Sequence, residues 1–87
     1  MTYKVEFSRR AEKQFEALSK QIQIRLQSRI DELALYPRPP SARKLEGIEN
    51  QYRVRVGDYR IIYEIQDSIL LVILVRIGHR SEVYRKQ

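Results

Sequence analysis

Three arginines and a C-terminal cluster hold most of this chain's capacity for chemistry. Arg53 and Arg55 alternate with Tyr52, Val54 and Val56, the pattern of a strand that turns its guanidinium groups to one face and its apolar side chains to the other. Gly57-Asp58 reads as a two-residue hairpin connection, which sets Val56 opposite Tyr59 and Arg55 opposite Arg60. Like charges facing each other across a sheet are destabilising, so an anion between them is the simplest reason for the pair, and a phosphate matches the forked donors of arginine. The segment Gly78-His79-Arg80-Ser81-Glu82-Val83-Tyr84 adds the chain's one histidine, the side chain whose ordinary pKa lies near neutrality. These are the parts for cleaving RNA without a metal. One group takes the proton of a ribose 2′-hydroxyl, arginines stabilise the phosphorane, and another group protonates the leaving 5′-oxygen. The candidate catalytic set is Arg55, Arg60, His79, Arg80 and Tyr84, with Tyr84 suited to stacking on a base; Arg53, Lys44 and Arg85 are the candidate RNA contacts.

Each feature also has a plainer reading. Alternating arginines usually mark a solvated face, a lone histidine is more often a surface residue than a catalyst, and Tyr84 suits an amphipathic anchor. Their coincidence at one end of one sheet favours the chemical reading. A metal-dependent nuclease is disfavoured, because Asp58, Glu64, Asp67 and Glu82 are scattered and no second histidine exists to pair as a ligand.

The elements that must position these residues are legible from periodicity. Tyr3, Val5 and Phe7 alternate with Lys4 and Glu6 as a short strand, and Ser8 stands at a helix N-cap ahead of Ala11, Phe15 and Leu18. Ser19 or Lys20 opens a second helix with an apolar stripe of Ile22, Leu26, Ile30 and Leu33, which Pro37, Pro39 and Pro40 end. Residues 41–50 form a loop or edge segment. Strands are expected over 51–56, 59–66 and 69–77, an antiparallel meander whose last strand is apolar at both parities and so is expected to be interior and covered on both faces. A two-residue turn at Asp67-Ser68 places Arg60 opposite Val75. The fold class is α+β, a strand and helical hairpin packed on a mainly antiparallel sheet, in one domain spanning 1–87.

The 87 residues carry a net charge of +6 with 32% charged side chains, which favours polyanionic partners, nucleic acid first. Cysteine is absent, so disulfides and thiolate metal sites are excluded. The N-terminus lacks the apolar run of a signal peptide and Ile69–Val75 is too short to span a bilayer, so a soluble cytoplasmic protein without a cofactor is expected.

The order and spacing of Ser8-Arg9-Arg10-Ala11, Lys44-Leu45-Glu46-Gly47, Tyr52-Arg53-Val54-Arg55, Tyr59-Arg60-Ile61-Ile62-Tyr63 and Gly78 to Tyr84 resemble the RelE/ParE superfamily of bacterial toxins, closest to its RelE branch. The resemblance covers nearly the whole chain. It implies a toxin of a type II toxin–antitoxin pair that enters the A site of the 70S ribosome and cuts mRNA there by metal-free 2′-hydroxyl attack. It also implies silencing by an acidic, RelB-like antitoxin, with operator DNA bound only through the antitoxin complex. By position, Arg60 matches the arginine that stabilises the transition state, Arg80 one proposed to assist the leaving group, and Tyr84 the tyrosine that stacks on the base. The family's best-studied pattern has lysines at Arg53 and Arg55. An arginine, with a pKa above about 12, is a poor general base, so His79 or the ribosome takes a larger share of proton transfer. The ParE branch, which inhibits DNA gyrase by binding without RNA cleavage, is the alternative reading, and a degenerate toxin that only binds its antitoxin is the third.

Overall fold

The computed structural model describes residues 2–79. Strand β1 (Lys4–Phe7) leads into helices α1 (Arg9–Glu16) and α2 (Lys20–Leu35). A two-residue edge strand β2 (Arg43–Lys44) precedes the meander of β3 (Gln51–Val56), β4 (Tyr59–Gln66) and β5 (Leu71–His79). The sheet runs β1-β5-β4-β3-β2, with β1 parallel to β5 and every other pair antiparallel. This is the expected α+β arrangement.

Local chemistry explains the helix boundaries. The Ser8 hydroxyl accepts from the Ala11 amide at 3.0 Å, satisfying a helix-start donor, and donates to the Val75 carbonyl at 3.0 Å, so one side chain caps α1 and ties it to β5. Ser19 caps α2 in the same way through the Ile22 amide. Between them, the Gln23 side-chain amide donates to the carbonyls of Phe15 and Leu18 at 2.9 and 3.2 Å, which lets α1 end at Glu16 without stranding them.

The core lies between the helices and one face of the sheet. Ala11, Leu26, Ile30 and Leu33 meet Val54, Ile61, Tyr63, Ile65, Val72, Leu74 and Ile77, all at most 2% exposed. Phe7 packs edge-on against Phe15 at 5.3 Å. Tyr63 is fully buried, donates its hydroxyl to the Pro37 carbonyl at 2.7 Å and stacks on Tyr52 at 6.0 Å. Burial pushes its phenol above the ordinary value.

The far end of the sheet is fastened by polar contacts. Arg38 grips Asp67 with two hydrogen bonds of 3.2 and 2.8 Å, donates to the Tyr52 hydroxyl at 3.0 Å and lies over the Tyr52 ring. Tyr3 donates to the same carboxylate at 2.6 Å. The cluster joins the residue before β1, the segment after α2, β3 and the β4–β5 connection.

Three expectations are corrected. The last strand runs 71–79 rather than 69–77, because Asp67–Ile69 forms a 3-10 turn and Leu70 takes a left-handed conformation before the strand begins. Arg60 faces Gly78 and not Val75. The longer turn pairs Gln66 with Leu71, a shift of two residues, and an irregularity at Ile62/Tyr63 that leaves Val75 without an opposite residue adds one more. Strand β5 is interior as expected, between β1 and β4, but the helices cover one face only; Leu71, Ile73 and Val75 on the other are half-buried.

Candidate active site

Register fixes which side chains share the face turned away from the helices. Tyr52 pairs with Tyr63 and Val54 with Ile61, and these four point to the core, so Arg53 and Arg55 point away from it. Arg55 is paired with Arg60 and Val56 with Tyr59. Gly57 has φ +62°, whereas Asp58 is not among the residues of positive φ, the pattern of a hairpin turn with glycine first. That turn makes the arginine pairing possible.

Arg60 is only 5% exposed, whereas Arg55 is open to solvent. A guanidinium held in the sheet beside a second one, on strands about 4.8 Å apart, concentrates positive potential where water screens it least. Following the pairing outward gives two adjacent rows on this face. One contains Arg55, Arg60 and Gly78; the other contains Arg43, Arg53, Ile62 and Arg76. Ser41, Arg43, Arg53 and Arg55 line a cleft of about 340 Å³. Glycine at position 78 puts no side chain in the first row, and both it and Arg60 are buried.

The end of β5 is held by α1. Pairing with β1 stops at Leu74, and past that point the Ser8 hydroxyl takes the Val75 carbonyl while Gln14 Oε1 accepts from the Ile77 amide at 2.7 Å. Side chains thus replace a missing strand partner at the stretch leading to Gly78 and His79.

His79 arrives at the same end of the sheet as Arg55 and Arg60, but on the opposite face. It is paired with Tyr59, whose ring packs against the core, and the two rings meet edge-on at 5.7 Å. Lys44 is likewise turned from the arginines: its partner is Tyr52, on the helix side, and Arg43 takes the place beside Arg53. Arg80, Tyr84 and Arg85 lie outside the described residues. Sequence reasoning missed Arg43 and Arg76 as members of the cationic face. A two-residue edge strand gives no periodicity to read, and Arg76 joins the row only once the longer turn and the irregular pairing are counted.

Proteins of known family and structure resemble this chain over most of its length. The family model for the ParE toxin of type II toxin–antitoxin systems matches residues 5–84. The mRNA interferase toxin RelE of Escherichia coli K12 is 31% identical over 97% of this chain and 92% of its own length.

This chain belongs to the RelE/ParE toxin superfamily, in its RelE branch.

The branch follows from the relatives that match across nearly the whole chain. The fold agrees. The isolated E. coli RelE toxin superposes with a TM-score of 0.80 at 29% identity, covering 94% of this chain and 90% of that one. RelE in the archaeal RelE–RelB complex from Pyrococcus horikoshii gives 0.81 at 30% identity, covering 94% and 99%. Among the described residues of this RelE-branch chain, no helix is long and apolar enough to cross a membrane.

Proposed function

We propose that this chain is the toxin of a type II toxin–antitoxin pair, a ribosome-dependent endoribonuclease that cuts mRNA in the A site and thereby stops translation in the cytoplasm. The observation that carries this reading is the Arg55/Arg60 pair, one guanidinium buried and one exposed, on the sheet face turned away from the helices.

The reaction this face suits is attack of a ribose 2′-oxygen on the adjacent phosphorus. The O2′–P bond forms, the P–O5′ bond breaks, the 2′-hydroxyl proton goes to a base and the 5′-oxygen takes a proton. The products are a 2′,3′-cyclic phosphate and a 5′-hydroxyl, and no metal enters the scheme. Arg60, preorganised by its burial, stabilises the charge that develops on the phosphorane, and Arg55 orients the phosphate from the solvent side. A guanidinium group is a poor general base. Proton transfer therefore belongs to groups outside this face, supplied by the C-terminal residues beyond 79 or by the ribosome; His79 packs against Tyr59. Arg80 assists the leaving oxygen and Tyr84 stacks on a base, with Arg85 alongside, in the roles their family positions imply.

The same basic surface explains an acidic antitoxin. RelE relatives are seen in complexes with RelB, and a partner of that kind, folding as it binds, neutralises a chain of net charge +6 and occludes the arginine face. Operator DNA is then reached through the antitoxin complex. The gyrase-binding alternative gives the arginine rows no task.

The test is a cell-free translation reaction with the purified chain, in which new mRNA 5′ ends are mapped by primer extension beside a ribosome-free control. Cuts confined to the translated region and dependent on ribosomes are expected; uncut message with translation unimpaired would refute the reading.

A further inference from the structure

We propose that Arg43 and Arg76, with Arg53 between them, hold phosphates of the substrate strand in a second row beside the reacting pair. The inference rests on the RNA-cleaving reading above and extends it to residues outside the reacting centre. Pairing places Arg43 opposite Arg53, Arg53 opposite Ile62 and Ile62 opposite Arg76, so the three arginines span β2 to β5 on the face turned away from the helices, Arg43 exposed and Arg53 and Arg76 half-buried. Three strand spacings make that row about 14 Å long, and it lies two residues, about 6.7 Å, from the Arg55/Arg60 row. A strand of RNA whose scissile phosphate sits at Arg60 thus has its neighbouring phosphates within reach of long, forked side chains.

Three further observations point the same way. Among the described residues, Arg43 and Arg76 enter none of the ion pairs, which join Lys4 to Glu6, Arg29 to Glu32 and Arg38 to Asp67. Ser41, Arg43, Arg53 and Arg55 line a concave site of about 340 Å³ that connects the two rows. Finally, the cationic character stops sharply: the next row on the same face contains Gln51, Glu64, Ile73 and Glu6, and Gln66 donates to the Glu64 carboxylate at 2.7 Å. The anion path therefore crosses the strands and does not run along them.

The experiment measures binding of a fluorescein-labelled, 12-nucleotide single-stranded RNA by anisotropy across a range of salt concentrations, without ribosomes. Arg43→Gln and Arg76→Gln are each expected to flatten the plot of log affinity against log salt by about 0.7, and the double variant by about 1.4, while Lys20→Gln on the helix side changes nothing. Thermal unfolding verifies that the variants are folded. An unchanged slope in the folded double variant, or a wild-type chain that does not bind this RNA, overturns the proposal. So does a double variant that loses affinity for polyglutamate alone, which would make the row a surface for an acidic protein. Failure of the cleavage reading is seen separately, as a wild-type chain that makes no ribosome-dependent cuts.

Discussion

Arg55 and Arg60 face each other across the β3–β4 hairpin, one exposed and the other 5% exposed. Two like charges in this position oppose folding, so function and stability pull in different directions here. Arg55→Ala is expected to leave the fold at least as stable, with a gain of about 0.2–1 kcal/mol from relieved repulsion, while slowing cleavage. Arg60→Ala removes a preorganised donor and is expected to lower single-turnover cleavage by about 10²–10³-fold. Thermal unfolding and cleavage on programmed ribosomes measure the two effects.

The hairpin that creates this pair depends on Gly57. At φ +62° a side chain is strained, and a Cβ there would lie 3.0 Å from Nη2 of Arg25, the tip of a flexible side chain that can move aside. Gly57→Ala is expected to cost about 1 kcal/mol or more, chiefly from the backbone conformation. Urea unfolding tests this, and an unchanged midpoint would mean that the turn tolerates the change.

Acid should loosen the opposite end of the sheet. Hydrogen bonds from Arg38, then from Tyr3, hold the Asp67 carboxyl at about 2, below its ordinary 3.8. A depressed folded-state pKa means that this stabilisation is complete above the ordinary value and is lost as pH falls from about 4 toward 2. Asp67→Asn should be less stable than wild type at neutral pH, and the gap should close across that window. A constant gap down to pH 2 would contradict the assignment.

His79 offers a kinetic test. Its ring lies against Tyr59 on the face away from the arginines. His79→Gln is therefore expected to leave the pH profile of cleavage unchanged in shape. Loss of a limb of the profile in that variant would instead identify His79 as a proton-transfer group.

Much of this was legible in the sequence, for local reasons. Ser8 and Ser19 announce the helix starts because a hydroxyl at an N-cap has one obvious use, and Gly57-Asp58 fixes a register because a two-residue turn leaves no freedom. What was not legible depended on counting across a less regular connection. Asp67-Ser68 looks like a second tight turn, yet a 3-10 turn and the left-handed Leu70 replace it, and together with the extra residue at Val75 they move Arg60's partner by three positions. Odd shifts exchange faces. That is why Arg76 joins the arginine face and His79 does not. Lys44 and Arg43 differ by a single residue on β2, and only their pairing to Tyr52 and Arg53 tells which belongs to the site.

On the proposed function, this arginine face promotes attack by a ribose 2′-hydroxyl on mRNA held in the ribosome. The most direct measurement places a single 2′-deoxynucleotide at the mapped cut site of a message programmed into purified ribosomes and follows cleavage by the chain. Cutting at that phosphate is expected to disappear, and the all-ribose message to yield a 2′,3′-cyclic phosphate end. Cleavage that persists at the deoxy position would contradict it.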